Sequence, residues 1–310
     1  MEISVGSLNI SKEKGEIKHP VEQVYVGHHG LEGDAHAGQW NRQVSMLAME
    51  SIIRFAESAS QPYKPGDFAE NITTQGITLH TVMPLDRFLI GEAELEVTQI
   101  GKSCHGGSCA IFRQIGDCVM PKEGIFCRVI NPGMIYRGNS IQYKPKVLRV
   151  FVLTLSDRAS SGEYADRSGP RISQLVGGFL NTTGWRHQTD NKIIPDNPHE
   201  LESQLTHVRN SNYDIMFTSG GTGIGPRDIT PEVVIPMLDK QIPGIMEMIR
   251  VRYGQKMPGA LLSRAVAGVM GKTLVFTLPG SVKAVEEYTD EIFRSLKHLI
   301  FMLHGLDLHH

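Results

Sequence analysis

Neither sign of charge prevails in this chain: 31 Lys and Arg stand against 33 Asp and Glu over 310 residues, a formal net charge of −2. No broad field therefore favours nucleic acid or an anionic membrane, and any anion must be bound by a local site. No apolar run reaches membrane-spanning length; Leu299 to Leu303 reads as the end of an amphipathic helix. Residues Met1 to Ile10 alternate apolar and polar and lack a basic stretch followed by an apolar core, so they read as a strand and not a secretory signal. A soluble, cytoplasmic protein is expected. Cysteine is scarce: Cys104, Cys109, Cys118 and Cys127 share one short segment, and reduced thiols are expected. Long repeats and low-complexity tracts are absent. So is the P-loop lysine motif, which excludes an ordinary P-loop ATPase.

What is present divides into two textures. From Met1 to about Tyr143, short alternating stretches such as Glu94 to Val97 and Phe126 to Ile130 are punctuated by turns at Gly66, Gly91, Gly101 and Pro132, a barrel or sandwich texture. From Val147 onward, continuous apolar runs alternate with helical patterns. Val150 to Leu155, Tyr213 to Thr218 and Thr273 to Leu278 read as buried parallel strands of an α/β three-layer domain. The polar joint Lys144-Pro145-Lys146 separates the two, giving domains 1–145 and 146–310.

The second half carries the stronger chemistry. After its middle strand come Ser219, Gly220, Gly221, Thr222 and Gly223, then Gly225 and Arg227-Asp228-Ile229-Thr230-Pro231. Four glycines let the backbone approach a ligand closely, and consecutive amides can form an anion-binding concavity. Thr230 reads as an N-cap with Pro231 opening a helix whose dipole would face a phosphate. A purely structural glycine turn would explain Gly-Gly-Thr-Gly alone. Asp228 adds an acid, which is tolerable beside a phosphate when a divalent cation such as Mg²⁺ neutralises the pair.

A second acid, Asp196, precedes a helix already capped by Asn197 and opened by Pro198, so no structural need for it is evident; a solvated turn aspartate is the alternative. Two more corners complete the rim. In Pro279-Gly280-Ser281-Val282-Lys283, Ser281 reads as an N-cap, and Lys283 in the first turn opposes the helix dipole unless an anion is bound. Ser156 and Asp157 open a hydroxyl-rich corner, and Ser263-Arg264 supplies another hydroxyl and cation. In open α/β sheets such corners converge beyond the carboxyl ends of the strands.

These segments, in this order, resemble the MogA/MoaB family, which includes the gephyrin G domain; the likeness spans about Val147 to His310. It implies a molybdopterin-binding α/β domain forming trimers or higher assemblies. It also implies Mg²⁺-ATP-dependent adenylylation of molybdopterin, with Asp196 and Asp228 as the critical carboxylates. The remaining rim residues would bind pterin or nucleotide.

Gly30 to Gly38, Arg42 to Ser45, Pro65 to Asn71 and Gly124 to Val129 resemble the MOSC domain, a β-barrel module of molybdenum-cofactor sulfurases. Cys104 lies where such domains often carry a functional cysteine; Lys102 and His105 nearby would favour its thiolate, the form that binds molybdenum or carries sulfur. Zinc is an alternative, although the cysteine spacing lacks paired knuckles. Cys118 and Cys127 read as buried structural thiols.

The combined reading is a MOSC barrel fused to a molybdopterin adenylyltransferase. It would use Mg²⁺, ATP and molybdopterin, hold molybdenum cofactor or sulfur on the barrel, and meet other molybdenum-cofactor enzymes. A non-catalytic carrier of molybdopterin is the alternative.

Overall fold

The computed structural model describes residues 2–103 and 118–306; Cys104 and Cys109 lie outside them. The chain divides into two compact units, Met1–Lys146 and Val147–His310.

In the first unit an eight-stranded sheet has the order β11-β7-β8-β9-β5-β6-β1-β2. One half comprises β1 (Ser4–Ile10), β2 (His19–Val21), β5 (Val44–Ala48) and β6 (Ile72–Gln75); the other comprises β7 (Arg87–Ile90), β8 (Ala93–Ile100), β9 (Ile125–Asn131) and β11 (Ile141–Lys144). A small antiparallel sheet joins β10 (Gly133–Tyr136), β3 (Gln23–Gly27) and β4 (Gly30–Leu31). Leu8, Val44, Met46, Leu95, Val97 and Cys127 fill the core between them, each at most 0% exposed.

The large sheet is mixed, which the alternating texture of the sequence does not reveal. Strands β5 and β6 run parallel, and a parallel pair needs a crossover. Helix α1 (Met49–Ala59) supplies it directly after β5. Its Ile52 packs with Leu47, Phe68 and Phe126 in a satellite core, to which Val119 and Met120, at the start of α2 (Met120–Glu123), also belong.

The second unit has a six-stranded sheet of order β13-β12-β14-β17-β16-β15. Strands β12 (Val147–Leu155), β13 (Arg186–Ile194), β14 (Ile215–Ser219) and β17 (Thr273–Leu278) are parallel. The edge strands β16 (Ala267–Met270) and β15 (Lys240–Gln241) are antiparallel. Every residue of β14 and β17 is buried, as expected of strands covered on both faces.

One face carries α5 (Pro198–Asn210) and α6 (Thr230–Val234), whose Leu201, Leu205 and Val234 pack on Phe151, Leu153 and Val275. Helices α4 (Ser168–Thr182) and α8 (Val282–Leu303) pack on each other, with Phe179 stacked on Phe293 at 4.7 Å, and lie against β12 and β17, with α7 (Pro243–Gly254) beside α8. The three-layer arrangement sends the carboxyl ends of β12, β13, β14 and β17 to one rim.

Candidate functional site

Two glycines set the shape of the loop after β14. Gly220 and Gly221 have φ of +108° and +63°. A Cβ on Gly220 would stand 2.3 Å from the Leu155 carbonyl oxygen, and one on Gly221 would stand 2.5 Å from Thr230 Oγ1. Only glycine fits both the torsions and the space. The loop then wraps the Asp228 carboxylate, which accepts from the Gly225 amide at 2.8 Å; a Cβ on Gly223 would come within 2.7 Å of that same carboxylate.

Several of the predicted contact residues make structural contacts of their own. The helix that follows is α6, five residues long, with Ile229 at its cap position and no side-chain cap. Thr230 is therefore not the N-cap; fully buried, its hydroxyl donates to the Gly220 carbonyl at 2.9 Å. So short a helix also supplies little of the dipole expected there. Ser219 is buried at the end of β14, its hydroxyl directed at the Pro279 carbonyl 3.4 Å away, whereas Thr222, though only 4% exposed, lines the second cleft described below. Arg264, expected to meet an anion, braces the loop. Its guanidinium donates to the carbonyls of Gly223 (2.7 Å) and Asp228 (2.8 Å) and pairs with Glu232.

The loop separates two clefts. The first, about 280 Å³, is lined by Ser156, Asp157, Arg158, Asp196, Arg227 and Asp228 with their neighbours. Asp157 and Asp196 hold each other reciprocally: Asp196 N donates to Asp157 Oδ1 at 2.9 Å and Asp157 N to Asp196 Oδ2 at 3.2 Å. Asp196 thus has a structural contact that the sequence does not disclose. Arg227, exposed, reaches Asp157 Oδ2 at 3.0 Å, and Ser156 caps α3 (Asp157–Ser160) through the Ala159 amide. Burial first, and then the charges of Asp157 and Asp228, raise the pKa of Asp196 against the opposing pull of Arg227 and the Asp157 amide. A cation in this cleft would relieve that repulsion.

The second cleft, about 430 Å³, is more apolar. Ile224, Met257, Leu262 and Ala284 line it with Tyr288, while Ser263, Pro279, Gly280, Ser281 and Lys283 stand around it. Ser281 caps α8 as expected, accepting from the Ala284 amide at 3.2 Å, and Lys283 is exposed, 3.8 Å from Glu287. Gly221 and Asp228 belong to both clefts.

Sequence reading missed Arg158, Met257, Glu287 and Tyr288. Arg158 had a signal, since it follows Asp157 directly; the other three sit on helical faces or in loops where nothing in the local sequence marks a ligand wall. Among the described residues no three His, Cys, Asp or Glu side chains converge as a ready metal cage. Asp196 and Asp228 instead form the sparse carboxylate set that suits Mg²⁺ when substrate phosphates complete its shell. Among the described residues no helix is long and apolar enough to cross a membrane.

Each half of the chain resembles known proteins. Residues 151–298 match the family described as "Probable molybdopterin binding domain", and residues 33–142 match the MOSC domain. The chain is 37% identical to the molybdopterin adenylyltransferase of Pyrococcus furiosus over 163 residues, covering 50% of this chain and 92% of that protein. It is 32% identical to the one from Helicobacter pylori over 162 residues, 52% of this chain and 90% of that protein. Dictyostelium discoideum gephyrin is 35% identical over 161 residues, which is 50% of this chain but only 22% of gephyrin. Among solved structures, a molybdopterin biosynthesis enzyme, MoaB, from a Thermus species is 34% identical, covering 51% of this chain and 98% of that one, with a TM-score of 0.47. By its C-terminal half the chain belongs to the molybdopterin-binding family of MogA, MoaB and gephyrin, and its N-terminal half is a MOSC domain, which places the protein in molybdenum-cofactor biosynthesis.

Proposed function

We propose that the C-terminal domain transfers adenylate from Mg²⁺-ATP to the phosphate of molybdopterin. What carries this reading is the pair of adjoining clefts that share Gly221 and Asp228. A ligand in each would bring two phosphates together over one glycine loop. An oxygen of the pterin phosphate attacks the α-phosphorus of ATP, the new P–O bond forms, and pyrophosphate leaves. The attacking oxygen is already ionised, so no general base is needed and the demand is for positioning and charge compensation. Loop amides, Arg158, Arg227 and Lys283 supply donors and positive charge. When bound, Mg²⁺ would neutralise the phosphates, held by Asp228 and Asp196.

In this reading the MOSC domain holds molybdenum cofactor or sulfur, with Cys104 as its functional thiol. Its large sheet closes toward a barrel, supported by Ile141 N donating to Ile3 O (2.8 Å) and Val5 N to Asn139 O (2.9 Å). The protein works in the cytoplasm as a trimer or hexamer and passes its product to other molybdenum-cofactor enzymes.

The test is incubation with molybdopterin and Mg²⁺-ATP, followed by mass analysis for adenylylated pterin. Asp228→Asn and Asp196→Asn are each expected to lower the rate by roughly 10²-fold or more, with an unchanged circular dichroism spectrum. Normal turnover in either variant would remove that carboxylate from the proposed metal role.

A further inference from the structure

The second cleft of the C-terminal unit keeps one polar atom that the fold leaves unanswered. Tyr288 lines that cleft from α8 and is 2% exposed. Its hydroxyl is buried with no hydrogen-bond partner among the described residues; Ser263 lines the same cleft without meeting it in a hydrogen bond. Burial raises the pKa of Tyr288 against the pull of the Ser263 hydroxyl and of Arg250, so it stays a neutral phenol that can donate. A buried hydroxyl without a partner is rare in native proteins and costs stability. Phenylalanine would fill the same space without that cost, so packing alone does not account for the oxygen.

The surrounding wall defines what would meet it. Along α8 the (i, i+4) spacing puts Ala284 and Tyr288 on one stripe and Lys283 and Glu287 on the next, and all four line the cleft. Opposite in character are Ile224, Met257 and Leu262, apolar residues of the same cleft that stand 74%, 45% and 57% exposed. Exposed apolar side chains gathered around one cleft of about 430 Å³ suit a flat ring that covers them. The edge of that ring must match Tyr288 and Glu287. A carboxylate only accepts, so the edge needs an N–H donor for Glu287; the phenol O–H answers a ring nitrogen beside it. An amino group next to a ring nitrogen supplies both, and a phosphate on the same ligand would suit Lys283.

We infer that the Tyr288 hydroxyl is the specificity-determining contact of the second cleft, donating to a ring nitrogen of an amino-substituted heterocycle whose amino group donates to Glu287. The heterocycle belongs either to an adenine nucleotide or to a pterin phosphate, which share such an edge. The inference rests on the proposed function only in taking this cleft as a ligand site. It is read by binding, so a chain that bound a probe through Tyr288 without adenylylating molybdopterin would leave it standing.

The experiment is calorimetric titration of the full chain with AMP and, separately, with a pterin phosphate monoester, in the parent, Tyr288→Phe and Glu287→Gln, alongside urea unfolding of each. Tyr288→Phe is expected to unfold at the same or a higher urea concentration, because it removes an unsatisfied hydroxyl. It should nevertheless raise the dissociation constant of one probe about tenfold while the other keeps its parent value. Glu287→Gln should weaken that same probe. Weakening confined to AMP identifies adenine as the occupant; weakening confined to the pterin phosphate identifies the pterin. A lower urea midpoint in Tyr288→Phe would give the hydroxyl a partner within the fold and overturn the assignment. So would unchanged affinity for both probes, equal weakening of both, two variants that do not act on the same probe, or a parent that binds neither.

Discussion

Glu70 stands out among single residues. It is 0% exposed, its Oε1 accepts from the Gly66 amide at 2.6 Å and the Thr73 hydroxyl at 2.8 Å, and its Oε2 is buried with no hydrogen-bond partner among the described residues. Burial pushes its pKa from 4.5 up to about 7. The folded chain therefore holds this proton more tightly than the unfolded chain does. Its contribution to stability is full below about pH 4.5 and is lost as pH rises through 7, an effect of about 3 kcal/mol. Glu70→Gln, which cannot ionise, should unfold at higher urea than the parent at pH 8.5 and show no such advantage at pH 4. His36 acts in the opposite sense, its depressed pKa adding stability as pH rises from about 4 to 6.5. The comparison of variant with parent at each pH cancels that term. A parallel pH dependence in the two proteins would mean that Glu70 is ionised in the fold.

The thiols differ for the same physical reason. Cys127 is fully buried 3.6 Å from Met46 Sδ, and burial raises its pKa, so it should resist alkylation in the folded protein at neutral pH. Cys104, with Lys102 and His105 beside it in sequence, is expected to label faster. Peptide-resolved mass spectrometry compares them directly, and equal rates would withdraw Cys104 as the functional thiol.

At the scale of elements, the β14-to-α6 loop is the part of the site least able to absorb change. Gly221→Ala would have to place a methyl group 2.5 Å from Thr230 Oγ1 at a φ of +63°. The backbone strain alone is worth about 1–3 kcal/mol, before the clash. A lower urea midpoint together with weakened pterin binding is expected, because the loop is shared by both clefts. If calorimetry shows undiminished binding, the loop is not the cradle proposed for the two phosphates. Gly223→Ala presses on the Asp228 carboxylate at 2.7 Å and should act mainly on turnover.

At the scale of the molecule, each unit has its own hydrophobic core and its own sheets. Residues 147–310 expressed alone are expected to unfold in one cooperative transition and to adenylylate molybdopterin at the full chain's rate per site. An insoluble or inactive fragment would show that the MOSC half contributes to the assembly or to catalysis.

Much of this was legible before any coordinate. The continuous apolar runs at 150–155 and 273–278 announced strands covered on both faces, because a parallel sheet leaves no solvated side to alternate with. Asn197 and Ser281 announced helix starts, and the glycines of the 219–225 loop a close backbone approach, because these are local effects of torsion and hydrogen bonding. The separate roles of Arg264, Thr230 and Ser219 could not be read in that way. Whether a cation meets a ligand or a carbonyl, and whether a hydroxyl faces a cleft or a buried backbone, depends on which segments the fold brings alongside. The reciprocal Asp157–Asp196 contact joins residues 39 positions apart. The parallel β5–β6 pairing escaped for the same reason: strand direction is fixed by the crossover through α1, not by the residues of either strand. Local sequence determined the elements, their caps and the chemistry on offer; only the tertiary packing decided which of those groups face the two clefts and which hold the loop between them.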